Sequence, residues 1–406
     1  MNYKKFLGAT SAALLIVIAI AILVLTPGAW AVSKYKTLYK FTGGKDGGAP
    51  HGDLIFDKAG NLYGTTFGGG AYGYGTVFKL NATGTETVLY SFTGGTDGRG
   101  PRAGLIFDQA GNLYGTAGSV VFKLAPNPDG SWSESVLHSF SGTDGAGPYA
   151  SLIFDQAGNL YGTTGWGGAN GLGTVFELTP NSDGSWTESV LYSFCSLTPM
   201  CGDGERPFAG LILDQAGNLY GTTFAGGTRG HCSGRRCGVV FKLASNPDGS
   251  WSESVLHSFA DRTDGSKPQA GLIFDHAGNL YGTTPDYGWG DVFKLTPNAD
   301  GSWTLKALYS FTSGKDGGAP YGVVAFDASG RLYGTTAGGG DRGYGVVFKL
   351  TRNSNGGWKE TVLHSFMDRP GAYPQAGLIL DGAGNLYGTT QGDNSKTFGS
   401  VFEITP

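Results

Sequence analysis

The chain has 406 residues, of which 73 are glycine, 15% are charged and 13% are aromatic, and its formal net charge is −4. The aromatic content excludes a low-complexity disordered chain, and the lack of a glycine at every third position excludes collagen. The slightly acidic balance provides no basic face, so we expect no nucleic-acid partner.

Residues 1–31 have the pattern of a signal peptide. Lys4 and Lys5 precede an apolar run at 12–25, and Ala29-Trp30-Ala31 offers a small-residue cleavage site. We predict cleavage after Ala31, with a retained N-terminal membrane anchor as the alternative. The remaining chain, 32–406, would then be a single domain of an exported protein, which is secreted, periplasmic or on the cell surface. We expect membrane contact only if the N-terminal segment is retained.

One phrase, AGNLYGTT or a close variant, occurs seven times after this segment. Its tyrosines are separated by 47 to 61 residues. This period is typical of propeller blades and longer than that of most helical solenoids. The seven tyrosines are Tyr63, Tyr114, Tyr161, Tyr220, Tyr281, Tyr333 and Tyr387.

Each repeat contains four strand-like segments, which read GLIFD, NLYGTT, VFKL and VLYSF or VLHSF. They are rich in β-branched and aromatic residues and are bounded by Gly, Asp, Asn and Pro. The motif D-x-A-G-N links the first two segments, and its Asp and Gly are hairpin formers. His138, His257 and His364 replace a tyrosine of other copies, and we interpret them as packing residues.

The order of the segments predicts how the ring closes. The chain begins with a fourth-strand segment at 37–41 and ends with a third-strand segment at 401–404. In a closed ring, 37–41 would complete the last sheet and remove its open edge. The sequence therefore predicts an all-β, seven-bladed β-propeller of four-stranded blades, closed by the N-terminal strand. The predicted blades are 50–92, 101–140, 148–194, 207–259, 268–311, 320–366, and 374–406 together with 35–41.

The four cysteines favour two local disulfides. Of the three possible pairings, Cys195–Cys201 and Cys232–Cys237 require the least loop closure. A four-cysteine zinc site is the alternative, but its spacings are loose and an exported protein is in an oxidising environment.

The repeat also resembles a known family. The phrases GNLYGTT, GTVFKLTP, VLYSFTGG and AGLIFD recur in this order across almost all of 37–406. They resemble the tandem repeat of the Gloeobacter/Verrucomicrobia type, called GloVer. The resemblance implies an exported bacterial protein and supplies no catalytic residues. The D-x-x-G-N-L-Y hairpin is more weakly similar to lactonase-like and streptogramin-lyase-like propellers, whose active-site motifs this chain does not match.

The sequence has no nucleophile elbow, zincin motif or Walker loop. We therefore expect no cofactor and no metal, and lean against an enzyme. The leading hypothesis is a monomeric binding scaffold for an extracellular polysaccharide or protein. One alternative is a lyase-type or lactonase-type enzyme at the tunnel mouth, and another is a purely structural surface or matrix protein.

The candidate ligand residues lie in the glycine-rich links between the second and third strands, which vary between copies. Aromatic side chains there suit sugar rings or peptides. Alternatively, they only pack these loops onto the blades. The inner strands begin mostly with apolar AGLIF, but His51, Asp53 and Arg102 suggest a small polar cluster in adjacent blades. The link candidates are Tyr72, Tyr74, Trp166, Arg229, Arg235, Arg236, Tyr287, Trp289, Arg342 and Tyr344, with His231 nearby.

Overall fold

The computed structural model describes residues 33–197, 201–229, 232, 236–260, 264–285, 289–369, 371–393 and 397–406. The predicted signal peptide or anchor at 1–31 lies outside these residues. Within the described ranges, no helix has the length and apolar character that crossing a membrane requires.

The described chain forms seven antiparallel sheets of four strands each. Six sheets consist of four consecutive strands, namely β2–β5, β6–β9, β10–β13, β14–β17, β18–β21 and β22–β25. The seventh has the order β1-β28-β27-β26, so the predicted seven-bladed propeller is confirmed. In chain order the strands are β1 Lys34–Lys40, β2 Ile55–Phe56, β3 Leu62–Thr66, β4 Thr76–Leu80, β5 Glu86–Ser91, β6 Ile106–Phe107, β7 Leu113–Ala117, β8 Val120–Pro126, β9 Trp132–Ser139, β10 Ile153–Phe154, β11 Leu160–Thr164, β12 Thr174–Pro180, β13 Trp186–Ser193, β14 Ile212–Leu213, β15 Leu219–Thr223, β16 Val239–Ser245, β17 Trp251–Ser258, β18 Ile273–Phe274, β19 Leu280–Thr284, β20 Asp291–Pro297, β21 Trp303–Ser310, β22 Ala325–Phe326, β23 Leu332–Thr336, β24 Val346–Arg352, β25 Trp358–Ser365, β26 Ile379–Leu380, β27 Leu386–Thr390 and β28 Ser400–Thr405.

The N-terminal strand closes the ring as the sequence predicts. Strand β1 pairs antiparallel with β28, so that Tyr35 lies opposite Ile404. Phe41, which follows β1, is buried in one cluster with Leu54 and Phe78 of the first blade. The last and first blades are therefore joined by both a sheet ladder and a hydrophobic core.

The repeated phrase forms the second strand of each blade and the core between blades. All five residues of β3 are buried. The ring of Tyr63 meets the edge of Phe107 in the next blade, with ring centroids 5.1 Å apart. A Cβ on Gly64 would lie 2.8 Å from Phe78 Cζ, so only glycine leaves room for that ring. The phrase is thus structural, because each blade must pack against two similar neighbours.

The hairpin between the first two strands repeats one set of hydrogen bonds in all seven blades, at what we call the turn end. In the first blade, Asp57 accepts bonds from the N–H groups of Ala59 and Asn61 and from the hydroxyl of Tyr63 at 3.0 Å. Burial alone would raise the pKa of Asp57, but these hydrogen bonds outweigh it and lower the pKa. Gly60 has φ +81° and closes the turn as expected.

The three repeat histidines have structural partners at the blade rim. His138 Nε2 and His257 Nε2 each lie 2.8 Å from the carboxylate of an aspartate in the following loop, Asp144 and Asp264. Tyr90 makes the equivalent bond to an aspartate in its own blade. No such bond is found for His364 within the described ranges, and its ring stacks on Tyr35 of β1 with ring centroids 3.9 Å apart.

Both favoured disulfides are present, Cys195–Cys201 and Cys232–Cys237. The described chain contains no free cysteine. Cys232 and Cys237 are buried in the core between two blades with Val240 and Leu272, so this disulfide anchors the longest link to the blades.

Candidate functional site

A cavity of about 230 Å³ at the centre of the ring is lined by residues from all seven blades. It is the propeller tunnel, and its lining comes from the segments that precede the first strands. The outermost residue of each segment directly follows a proline. We call these seven residues the mouth ring: His51, Arg102, Tyr149, Phe208, Gln269, Tyr321 and Gln375.

The repeated phrase holds the mouth ring in place. In six blades the first threonine of this phrase donates to a backbone carbonyl of the neighbouring blade, as Thr65 Oγ1 does to Ala103 at 2.9 Å. Among the described residues, Thr389 Oγ1 of the seventh blade has no such partner. Gly75, with φ +94°, ends the preceding link, and a Cβ there would be 2.8 Å from Cδ of Pro101. Arg102 of the mouth ring is therefore fixed between Pro101, which packs on the previous blade, and the bonded carbonyl of Ala103.

Aromatic side chains cover one half of the mouth. They form what we call the aromatic arc, which consists of Phe67, Tyr149, Trp166, Phe208 and Phe224. The ring of Trp166 lies 5.4 Å from Tyr149 and 5.3 Å from Phe208. Phe208 in turn meets Phe224 at 5.7 Å. The first, third and fourth blades thus contribute to one apolar wall.

Arg102 interrupts this wall with a positive charge. Its guanidinium lies 4.5 Å from the centre of the Phe67 ring and 5.6 Å from that of Tyr149. Such contacts stabilise a cation over the ring faces. The side chain is exposed. The guanidinium is held between two rings and remains open to a ligand.

His51 lies beside Arg102 in the mouth ring and is neutral at pH 7. Burial, together with the Arg102 charge, lowers the pKa of His51 to about 4, although a hydrogen bond with Gln375 opposes this shift. Its ring also meets the edge of Phe67 at 5.6 Å. The mouth therefore carries an uncharged imidazole next to a permanent cation.

Asp53 lies deeper in the tunnel, two residues after His51. Its Oδ1 accepts a hydrogen bond of 2.6 Å from the N–H of Gly377 in the last blade. Burial raises the pKa of Asp53, and this hydrogen bond only partly opposes the rise. The polar cluster proposed from sequence is thus two residues at the mouth and one below them.

The other half of the mouth is polar and less aromatic. Blades five to seven contribute Gln269, Tyr321 and Gln375. The cavity between the two halves has a volume of about 370 Å³. Amide and hydroxyl groups on one side and aromatic faces on the other can hold a ligand that has both polar edges and an apolar face.

Of the ten link candidates, two lie at or beside the mouth. Trp166 lines it, and Tyr74 borders a groove that leads to it. Tyr72 lies farther out on the same link and is 61% exposed.

The structure spreads the remaining described candidates around the rim. Trp289 is 57% exposed and does not line the mouth. Arg229 lies 4.0 Å from the carboxylate of Asp264. Tyr344 packs on a tyrosine of the next blade at 5.6 Å. The last two are Arg342, which is exposed, and Arg236, which is half-buried. Arg235, Tyr287 and His231 lie outside the described residues.

Sequence reasoning missed most of the mouth ring, including Tyr149, Phe208, Gln269, Tyr321 and Gln375. Of the seven residues that follow a proline, only the ionisable His51 and Arg102 were predicted as site residues. A signal was nevertheless available, because the residue after each proline differs between copies while the proline itself and the following Leu or Val do not.

One group among the described residues has metal-ligand geometry. Ligand atoms of His138, Asp144 and Glu188 lie within 4.8 Å of one another at a blade junction. The same histidine–aspartate bond occurs at His257, where Leu305 takes the register position of the glutamate. The bond therefore forms without the third group, and the cluster is explained as a junction contact.

The comparisons with known proteins agree with this architecture. A model of the Gloeobacter/Verrucomicrobia repeat matches residues 22–234, 117–288 and 231–406, which together span nearly the whole chain. No curated protein sequence matches the chain.

Several solved structures share the fold. Virginiamycin B lyase from Staphylococcus aureus has a TM-score of 0.57 at 16% identity, covering 92% of this chain and 99% of its own. A streptogramin B lyase has a TM-score of 0.58 at 13% identity, covering 93% and 99%. The extracellular domain of a hybrid two-component system from B. thetaiotaomicron has a TM-score of 0.57 at 11% identity, covering 92% of this chain and 41% of that one. At such low identities the likeness is one of fold alone.

Proposed function

The chain belongs to the Gloeobacter/Verrucomicrobia repeat family, and from this premise we propose that it is an exported carbohydrate-binding propeller whose ligand lies across the tunnel mouth. The site consists of the aromatic arc, Arg102 and the polar half of the mouth ring. It replaces the broad ring of link residues as the centre of the binding surface.

The asymmetry of the mouth supports this proposal. A purely structural ring gains nothing from five residue types at seven equivalent positions, since its packing positions are nearly identical. The aromatic rings lie on the first, third and fourth blades, and Trp166 remains 36% exposed despite its two aromatic neighbours. Flat aromatic surfaces beside amide and guanidinium groups match the apolar faces and hydroxyl edges of sugar rings.

The two disulfides support export. All four cysteines of the chain are paired, and structural disulfides are rare in reducing compartments. The protein would therefore meet its ligand outside the cytoplasm, in the periplasm, at the cell surface or in the medium.

A binding experiment tests the site. The purified protein would be screened on an array of bacterial and plant polysaccharides, and affinities measured by calorimetry. Trp166→Ala should weaken binding about tenfold or more, because an exposed aromatic surface for stacking on the ligand is lost. The matched control is Trp289→Ala, which removes an exposed tryptophan away from the mouth and should change the affinity less than twofold. Equal losses in both variants would contradict a site at the mouth.

A second candidate function is an enzyme at the same mouth. The observation that favours it is the neutral His51 beside Arg102, since a neutral imidazole and a guanidinium can both donate hydrogen bonds to a substrate oxygen on which negative charge develops. Sustained release of cleaved product from a bound polysaccharide, lost in His51→Ala, would establish this activity. Binding without turnover would support the scaffold.

A further inference from the structure

The link between the second and third strands is shortest in the second blade. Strand β7 ends at Ala117 and β8 begins at Val120, so only Gly118 and Ser119 connect them. The corresponding links of the first and third blades span 67–75 and 165–173. The ring of links therefore has a gap beside the aromatic arc.

A groove of about 290 Å³ occupies this gap. It leads from the rim to the mouth, and Arg102 and Tyr149 line both the groove and the mouth cavity, so the two spaces are continuous. The groove is lined by Phe67, Gly68, Gly73, Tyr74, Arg99, Gly100, Arg102, Gly118 and Tyr149.

The lining of the groove is cationic. Arg99 and Arg102 are both exposed, and no described carboxylate lines the groove. Asp97 is closest in sequence, but its carboxylate accepts bonds from the N–H and hydroxyl of Thr93 and from the hydroxyl of Tyr90. Among the described residues, no carboxylate therefore forms an ion pair with either guanidinium.

Aromatic rings flank the same charges. Tyr74 is 44% exposed on one wall, and Phe67 and Tyr149 flank Arg102. A guanidinium stacked on a ring face keeps its planar edge free to bind a carboxylate through two parallel hydrogen bonds. This combination suits a polymer that alternates apolar sugar faces with carboxylates.

We propose that the mouth and this groove together bind an internal stretch of an acidic polysaccharide, with carboxylates of separate sugar units on Arg102 and Arg99. This inference rests on the proposed carbohydrate function and specifies its ligand. A chain is required because the mouth cavity alone is large enough for a single sugar, whereas the groove extends the site toward the rim.

The test uses polymers that differ only in charge. Polygalacturonate, alginate and hyaluronan provide carboxylates, and highly methyl-esterified polygalacturonate provides the same backbone with most charges removed. We expect polyuronate binding that weakens with salt and is at least tenfold tighter than binding of the esterified polymer.

Variants locate the two contacts. Arg102→Gln should weaken the binding of both polygalacturonate and monomeric galacturonate roughly tenfold, because Arg102 contacts the sugar in the mouth. Arg99→Gln should weaken only the polymer, since a monomer does not reach the groove. Arg342→Gln, an exposed arginine of the sixth blade, is the control and should change neither affinity.

The outcomes separate this inference from the proposed function. If charged and esterified polymers bind equally and Trp166→Ala weakens both, the preference for an acidic ligand would be wrong. The proposal of carbohydrate binding at the mouth would then still hold. An unchanged affinity of Arg99→Gln for the polymer would show that the groove is not part of the binding site. Absence of binding to every polysaccharide would overturn both proposals.

Discussion

The two ends of the propeller differ in how far their residues repeat from blade to blade. At the turn end, each blade places a tyrosine hydroxyl 3.0 to 3.1 Å from the aspartate of its own hairpin, from Asp57 and Tyr63 to Asp381 and Tyr387. At the mouth, the seven equivalent positions carry five residue types and form an aromatic half and a polar half. Packing between similar blades selects the same residue seven times, whereas a single ligand contacts different blades in different ways.

Removal of the closing strand should have the largest effect, since it acts on the repeated part of the molecule. A chain that begins at Thr42 lacks β1 and Phe41, which leaves the edge of β28 open. We expect a loss of roughly 5 kcal/mol or more, because several buried apolar side chains lose their contacts. Thermal unfolding should be compared with a chain that begins at Ser33. Identical melting temperatures would contradict closure by β1.

Two substitutions within one blade compare the two ends directly. Asp275→Ala removes the acceptor for Ala277, Asn279 and Tyr281, and should cost about 2–3 kcal/mol without changing ligand affinity. Gln269→Ala in the mouth of the same blade should change stability by less than about 0.5 kcal/mol. Denaturant unfolding and calorimetry measure both quantities. A similar stability loss in the two variants would show that the mouth residue serves packing.

The blade junctions should give a smaller, pH-dependent effect. Burial and, secondarily, an aspartate of the neighbouring blade raise the pKa of five glutamates, to about 7 in four of them and to about 8 in Glu253. Each has one buried carboxylate oxygen without a partner among the described residues. The five are Glu86, Glu134, Glu188, Glu253 and Glu360.

The sign follows from the folded and unfolded pKa values. Since the folded pKa of these glutamates lies above the unfolded one, their contribution to the free energy of unfolding is fully present below about pH 4.5. It decreases as the pH rises to 8. Aspartates such as Asp57 have a lowered pKa, so their contribution to stability is instead lost as the pH falls below about 4. We expect the melting temperature to fall by a few degrees between pH 5 and 8, because partial exposure reduces each contribution. Glu134→Gln should reduce this slope, and an unchanged slope in this variant would contradict the contribution of the junction glutamates.

The sequence predicted most of the fold because the relevant information is local and repeated. The hairpin aspartates, the left-handed Gly60 and the buried glycine of each second strand follow from short motifs. Ring closure could also be predicted, because the unpaired strand at 37–41 supplies the fourth strand that the last blade lacks. Local disulfide pairing followed from loop lengths alone.

The candidate site depended on tertiary structure. Residues such as His51, Tyr149 and Gln375 are about 50 residues or more apart in the chain, and only closure of the ring brings them around one cavity. The sequence indicated which positions vary, but it did not show that Trp166 faces the mouth while Trp289 does not. The sequence by itself determined seven blades, their strand order and their closure, because these depend on contacts within a repeat or between adjacent repeats. Only the tertiary structure determined which varying residues share a surface, because side chains from distant repeats meet only where the circular arrangement converges.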